Sequence, residues 1–457
     1  MFGEIGYFGD ARLARNGTLL VERMHQRQTV CIRKLTEDRA EQARFLRFLS
    51  NKEVTVEEMI SHRALLAGTA AVDRHVLAIQ DTSEVNYQAQ RRRKRSLGTV
   101  GNGTDVGLFI HPVLAVDADN GECLGLVDAQ IWRRTTGKAA NYKALPIEAK
   151  ESNRWLKGAD RAKAVLAGAA LITVVDDREA DIYEKWDRLP DHHTHLLTRA
   201  CRDRCLGDGR RLFETLANFD EVHRFELDLT ARPGKKRAAR KATIAVRFGP
   251  LRIRRPKSCS DRQASPEIDL FAIEAREIDP PPGQTPIIWR LLTTHRLDSL
   301  EKAITVIGWY RKRWDIEQLF RTLKQQGLRL EQSVVEDGQA LEKLAAIALI
   351  TAATTMQLVG ARTAVQHATP ASRVFTPLQL IVIAALLNTR QGRTAKQQNP
   401  FPPNSLAAAA WIIARLGGWT GYQSDKSNGP ITMRDGLERF YAIADGYHLA
   451  AQHLCSS

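Results

Sequence analysis

Residues 171–200 read LITVVDDREADIYEKWDRLPDHHTHLLTRA, and this stretch decides the fold. Residues 171–175 form a short, β-branched apolar run ending at Asp176 and Asp177, the pattern of a buried strand. Residues 180–189 read as a helix and residues 193–200 as another strand. Strand, helix, strand is the unit of a sheet with helices on its faces. Upstream, residues 75–80 (HVLAIQ) form a strand ending at Asp81. Residues 107–116 (GLFIHPVLAV) and 122–132 (ECLGLVDAQIW) are two more strands, joined at the hairpin turn signal Asp119, Asn120, Gly121. Residues 151–168 read as a helix. The order strand, strand, strand, helix, strand, helix, strand predicts an α/β fold with a mixed sheet covered by helices.

The flanks read differently. Residues 1–70 are polar and helical, with apolar positions at helix spacing over 36–49 and 55–66, and Thr55 with Glu58 fits a capping box. Residues 221–278 interrupt with alternating, β-like segments (224–229 and 243–248) and read as an insertion or subdomain, closed by Pro280, Pro281, Pro282 and Gly283. From Ser299 the chain is mostly helical, with a loop over 392–405 marked by Pro400, Pro402 and Pro403. The most apolar window, 344–359, carries Thr351, Thr354, Thr355 and Gln357. A membrane helix needs about 20 mostly apolar residues, so this window is expected to be a buried helix.

At roughly 150 residues per domain, 457 residues allow two or three domains. An apolar content of 43% excludes a wholly disordered chain, and six Cys exclude a disulfide scaffold. Only Cys201 and Cys205 are close, and no second pair completes a zinc site. No N-terminal stretch reads as a signal peptide; a reduced cytoplasmic protein is expected. The net charge of +15 is concentrated. Arg91, Arg92, Arg93, Lys94 and Arg95, with the eleven Lys and Arg of residues 231–257, carry sixteen positive charges and no acid, and the remaining residues are near neutral. One such run suits a solvated loop; two point to a polyanion partner. Neither run alternates with apolar residues at helical spacing, which argues against a membrane surface.

Asp81 and Asp177 each follow an apolar strand, where an open sheet presents its functional groups. Two such acids can share a hard divalent cation, although either taken singly is better explained as a cap of the next turn, and spacing leaves Asp176 and Asp177 equivalent. A third carboxylate is better marked. Residues 309–325, WYRKRWDIEQLFRTLKQ, read as one helix. At about 100° per residue, Tyr310, Arg313, Glu317, Arg321 and Lys324 fall within an arc of roughly 80°. Glu317 could pair with Arg313 and Arg321 as a solvated ladder, but a ladder does not call for Tyr310 and Trp314. One acid among cations and aromatics fits a phosphodiester site, with the acid on a metal and the cations on phosphates.

Tyr310, Arg313, Glu317 and Lys324 at this spacing resemble the Tyr-Arg-Glu-Lys signature of bacterial cut-and-paste transposases of the insertion-sequence-four family, in the Asp-Asp-Glu class. Residues 80–83 (QDTS) and 177–181 (DREAD) resemble its two aspartate motifs, and 151–155 (ESNRW) an element between them. Trp289 resembles an aromatic that stacks on a flipped base; 8–13 (FGDARL) and 411–421 (WIIARLGGWTG) resemble its N- and C-terminal regions. On spacing alone, Trp289 is better read as a core residue.

The resemblance implies a ribonuclease-H-like catalytic core over 71–365 with a β-rich basic insertion at about 207–285. It also implies a helical N-terminal DNA-binding domain over 1–70 and a helical C-terminal dimerisation region over 366–457. It makes Asp81, Asp177 and Glu317 the catalytic metal ligands for two Mg²⁺, with Mn²⁺ as an alternative. Tyr310, Arg313, Arg321, Lys324 and Trp289 become DNA contacts. The implied activity is excision of an element through a hairpin intermediate and its insertion into target DNA. The implied partners are transposon-end DNA, target DNA and a second copy in a synaptic complex. The competing readings are a metal-dependent nuclease without strand transfer and an inactive or repurposed DNA-binding relative.

Overall fold

Chain-end and turn chemistry sets the first elements of the computed structural model, which describes residues 5–134, 142–229, 238–324, 326–361, 369–422 and 429–454. Four helices come first: α1 (Ala11–Arg27), α2 (Ile32–Leu35), α3 (Arg39–Ser50) and α4 (Val56–Ala70). The Asp10, Asp38 and Thr55 side chains accept the first free backbone N–H groups of α1, α3 and α4, satisfying donors that a helix start leaves unpaired. The box expected at Thr55 is half formed, because the Glu58 carboxylate accepts from the Tyr7 N–H at 2.8 Å instead.

The sheet region runs β1 (His75–Gln80), β2 (Ser83–Asn86), β3 (Gly98–Val100), β4 (Asp105–Asp117), β5 (Cys123–Trp132), α5 (Arg154–Val165), β6 (Leu171–Asp176), α6 (Tyr183–Arg188) and β7 (Thr194–Arg199). It continues with α7 (Leu212–Ala217), β8 (His223–Leu229), β9 (Arg240–Arg254), β10 (Glu267–Glu277) and β11 (Ile288–Thr293). Six helices complete the described chain: α8 (Leu300–Arg311), α9 (Trp314–Leu323), α10 (Gly338–Ala361), α11 (Pro377–Arg390), α12 (Leu406–Leu416) and α13 (Pro430–Leu454).

The strands form one mixed sheet in the order β2-β4-β1-β6-β7-β11-β10-β9-β8, with β3 and β5 also paired to β4. β1, β6 and β7 are mutually parallel; the other pairings are antiparallel. The expected insertion is therefore not a separate subdomain. β11 pairs with both β7 and β10, so the meander lengthens the main sheet.

Two expected helices differ. Residues 180–189 split into a 3-10 turn (Arg178–Ala180) and α6, because Asp181 leaves helical geometry to bond Arg204. Residues 309–325 are two helices. Around Lys312 and Arg313 the backbone tightens to i→i−3 bonds (Arg313 N to Tyr310 O, Asp315 N to Lys312 O, Ile316 N to Arg313 O), the 3-10 pattern that turns one helix against the next. Gln325 lies outside the described residues.

Helices cover both sheet faces. One core joins Leu77, Ile79, Val175 and Leu197 of the sheet to α1, α3, α8, α9 and α10. The other joins Val76, Ala78, Ile172 and Val174 to α5, α6 and α7. α10 is long and apolar enough to cross a membrane, yet 89% of its apolar window is buried against protein, as expected for residues 344–359. It packs on β5, on α1, α3 and α4, and on α12 and α13.

Candidate active site

Strand parity puts two aspartates side by side. Side chains alternate between faces along a strand. Ile79 of β1 lies opposite Val175 of β6, both pointing into the core beneath α8 and α9. Two residues further along each strand come Asp81 and Asp177. Asp176 is one residue out of phase and points into the other face, fully buried, where Lys185 and the Thr198 hydroxyl (2.9 Å) donate to it. The choice that spacing left open is thus separated by geometry: Asp177 faces the helices that carry Tyr310 and Glu317, and Asp176 is held in a buried pair.

The turn between α8 and α9 supplies the centre. Arg313, buried, donates through Nη1 to Asp81 Oδ2 (3.2 Å) and through Nη2 to Glu317 Oε1 (2.7 Å). Tyr310 Oη donates to Asp177 Oδ1 at 3.4 Å. One guanidinium and one phenol thus tie three carboxylates from two strands and a helix. Burial, with Asp177 and Glu317 nearby, pushes the Asp81 carboxyl up to about 7, against the opposing pull of the Thr82 N–H and Arg313. Burial and the Asp177 charge push the Tyr310 phenol up to about 12. Arg313 is itself desolvated, but the acids and Tyr310 outweigh this and hold it firmly charged.

A groove of about 1440 Å³ opens beside these groups. Asp177, Trp289, Arg313, Glu317 and Arg321 line it, with Arg178, Arg199, Arg290, Arg311 and Lys312 among its other cations. Trp289 is half-buried at the start of β11, its ring 6.3 Å from that of Tyr310. Arg321 is exposed to the groove; the pairing with Glu317 that a solvated ladder would need is not among the ion pairs of the described residues. Lys324 turns away from the groove, donating to the Glu84 carbonyl and lying 3.7 Å from Glu331.

The basic segment 231–257 is less bare than its sequence implies. Residues 230–237 lie outside the described part. Of the cations that follow, Arg240 pairs with Glu277, Lys241 with Glu226 (3.1 Å), Arg247 with Glu221 (3.5 Å) and Arg252 with Asp269 (2.6 Å). The segment has no acid of its own; the partners stand on the neighbouring strands β8 and β10 and, for Glu221, just before β8.

Sequence reading missed a polar network behind Asp81. Arg154 at the start of α5 donates through Nε to Thr82 Oγ1 (2.8 Å) and through Nη2 to Glu179 (2.6 Å). Thr82 Oγ1 lies 2.9 Å from His111 Nδ1, and His111 Nε2 lies 3.0 Å from Gln80 Oε1. Burial first, then Arg154 and Lys185, depress His111 well below the usual imidazole range. The ring is therefore neutral, with the bonding pattern assigning its proton to Nε2. Arg154 thus links the loop after β1 to the loop after β6. Its place within ESNRW was the available signal.

Among the described residues no three His, Cys, Asp or Glu side chains are gathered closely enough to hold a metal ion as they stand. The donor chemistry nevertheless fits a hard divalent cation: the three side chains held by Arg313 and Tyr310 are all carboxylates. Arg313 acts as a stand-in cation, and with one guanidinium shared between Asp81 and Glu317 the Asp81 carboxyl remains poorly compensated.

Residues 70–353 match the family model described as the transposase DDE domain. Among solved structures, the chain is similar to a piggyBac transposase in a synaptic complex with hairpin DNA, at a TM-score of 0.36 and 10% identity. That match covers 74% of this chain, which spans 64% of the piggyBac chain. The family match takes in Asp81, Asp177 and Glu317 and well over half of the residues, and the chain belongs to the transposase DDE domain family.

Proposed function

We propose that the protein is a cut-and-paste DNA transposase similar to those of the insertion-sequence-four family. The observation that carries this reading is that Asp81 and Glu317 meet at Arg313 and Asp177 meets Tyr310, with Asp177, Arg313 and Glu317 on the wall of a cation-rich groove. Asp81, Asp177 and Glu317 would hold two Mg²⁺, or Mn²⁺. When bound, such ions activate the attacking oxygen and stabilise charge on the phosphoryl group in transit. Tyr310, Arg313 and Arg321 hold phosphates near the cleaved end, whereas Lys324, which the resemblance also makes a DNA contact, is engaged with Glu84 and Glu331 away from the groove. Trp289 stacks on an unpaired base while a hairpin forms; such stacking is worth about 1–3 kcal/mol.

In this reading residues 1–70 bind the transposon end, 71–365 form the ribonuclease-H-like catalytic domain, and 366–457 mediate dimerisation in a synaptic complex. The protein works in the bacterial cytoplasm, on the nucleoid.

The test is cleavage of DNA carrying this gene and its flanks, with Mg²⁺ or EDTA, by wild type and Glu317→Ala. Paired metal-dependent cuts at inverted ends are expected from wild type, with none from a variant that still binds those ends. Normal cutting by Glu317→Ala would remove the assigned site. Cuts without joined product would favour a nuclease, and salt-sensitive binding without cuts a repurposed relative.

A further inference from the structure

The short segment after β2 holds three arginines with no role in the site. Gln88–Arg93 is a 3-10 helix, and Arg91, Arg92 and Arg93 on it are exposed. Among the described residues none of the three has an ion-pair partner, whereas Arg95 pairs with Glu336 at 3.0 Å. The segment is firmly anchored. Tyr87, 1% exposed, donates its hydroxyl to the Leu330 carbonyl (3.1 Å), and Gln90 Nε2 donates to the Glu331 carbonyl (2.9 Å). Lys94 Nζ donates to the carbonyls of Ser333 (2.5 Å) and Val335 (2.6 Å) and lies 4.8 Å from the centre of the Tyr87 ring. The Arg95 N–H donates to the Glu336 carbonyl at 2.9 Å. Charges kept only for solubility need no such fixing. Three arginines on a backbone held in this way, by contrast, have only side-chain freedom left to lose on meeting a ligand.

We propose that Arg91, Arg92 and Arg93 form a docking ridge for the phosphate backbone of duplex DNA flanking the cleaved bond. This rests on the transposase reading. β2 starts two residues after Asp81, so chain geometry limits Arg91 to about 30 Å from that acid, less than one duplex turn of about 34 Å. The ridge is also tied to the helix of Glu317. Lys324 at the end of α9 bonds the Glu84 carbonyl of β2 and pairs with Glu331, whose carboxylate accepts the Asn86 N–H (3.2 Å). The ridge and the three acids are therefore held in one frame. Charge complementarity selects a polyphosphate, and a segment whose one apolar side chain is the methyl of Ala89 gives a bilayer little to take up.

The test is binding of the full chain to a duplex containing the gene's flanks, followed by fluorescence anisotropy between 50 and 200 mM KCl in EDTA. Each phosphate contact contributes about 0.9 to the slope of log affinity against log salt. R91A/R92A/R93A is expected to lower the magnitude of that slope by roughly 2–3. Across that range wild type should then lose on the order of forty times more of its affinity than the variant. R91K/R92K/R93K is expected to keep the wild-type slope. An unchanged slope in the alanine variant, with wild type still binding, overturns the ridge alone, as does a lysine variant no better than the alanine one. Wild type that shows no salt-sensitive binding overturns the transposase reading with it.

Discussion

Asp81 sits where its charge is costly. One guanidinium is shared with Glu317, Asp177 is close, and burial holds the Asp81 carboxyl up to about 7 against 3.8 when free. Between those values the folded chain keeps a proton that the unfolded chain has released, so stability falls as pH rises through the window and stays lower above it. Asp81→Asn removes that loss. Without added metal, the variant is expected to be about 1–3 kcal/mol more stable than wild type at pH 8 and little different near pH 3.5, as measured by urea unfolding. Equal stability at both pH values would mean that Arg313 compensates the charge completely. At this scale much was legible: acids at strand ends, and an acid among cations and aromatics over 309–325. Arg313 was expected beside Glu317, and i,i+4 geometry preserves that contact. Its second bond, to Asp81 from a strand 232 residues away in sequence, had no local signal.

Short elements carry the supports of the site. The 3-10 turn at Lys312 and Arg313 lets these adjacent cations diverge, Lys312 bonding the Asp117 and Ala118 carbonyls while Arg313 meets the acids. Arg154, at the first residue of α5, fastens the loop after β1 to the loop after β6. If that tie positions Asp81 and Asp177, Arg154→Ala should cut cleavage about 10- to 100-fold with end-DNA affinity nearly unchanged. Arg154→Lys, which can restore one of the two bonds, should recover part of the rate. Equal loss of DNA binding and cleavage would point to a general folding defect. The main strands were readable because apolar runs end at polar residues. β2 (SEVN) and β3 (GTV) were not, because they are too short for alternation to register.

Across the whole molecule, α10 is the shared support. It touches the sheet, the N-terminal helices and the C-terminal helices, and Leu349 within it is wholly buried. Leu349→Ala is expected to cost about 2–5 kcal/mol, seen as a lower denaturation midpoint. A shift under about 0.5 kcal/mol would mean that the neighbouring helices close around the space. The burial of α10 was legible from its four interrupting polar residues. The continuity of the sheet was not, since the β11–β7 pairing joins residues nearly a hundred apart. Strand pairing over shorter separations, 15 to 37 residues, hid the acids that face the basic segment. A net-charge count along the chain therefore overstated how much of that segment is free to meet a polyanion.

The adjacent Asp176 and Asp177 have a consequence for how such a gene can change. Volume-conserving apolar substitution can be absorbed along buried β6 at modest cost, but a single codon gained or lost within it, with its first residues held in register, turns each acid to the opposite face. The one bonded to Lys185 swings toward the groove, and its neighbour enters the packed interior. A step of two residues restores the face but carries Asp177 about 7 Å along the strand from Tyr310, so length variation belongs to the loops that follow Asp81 and Asp177.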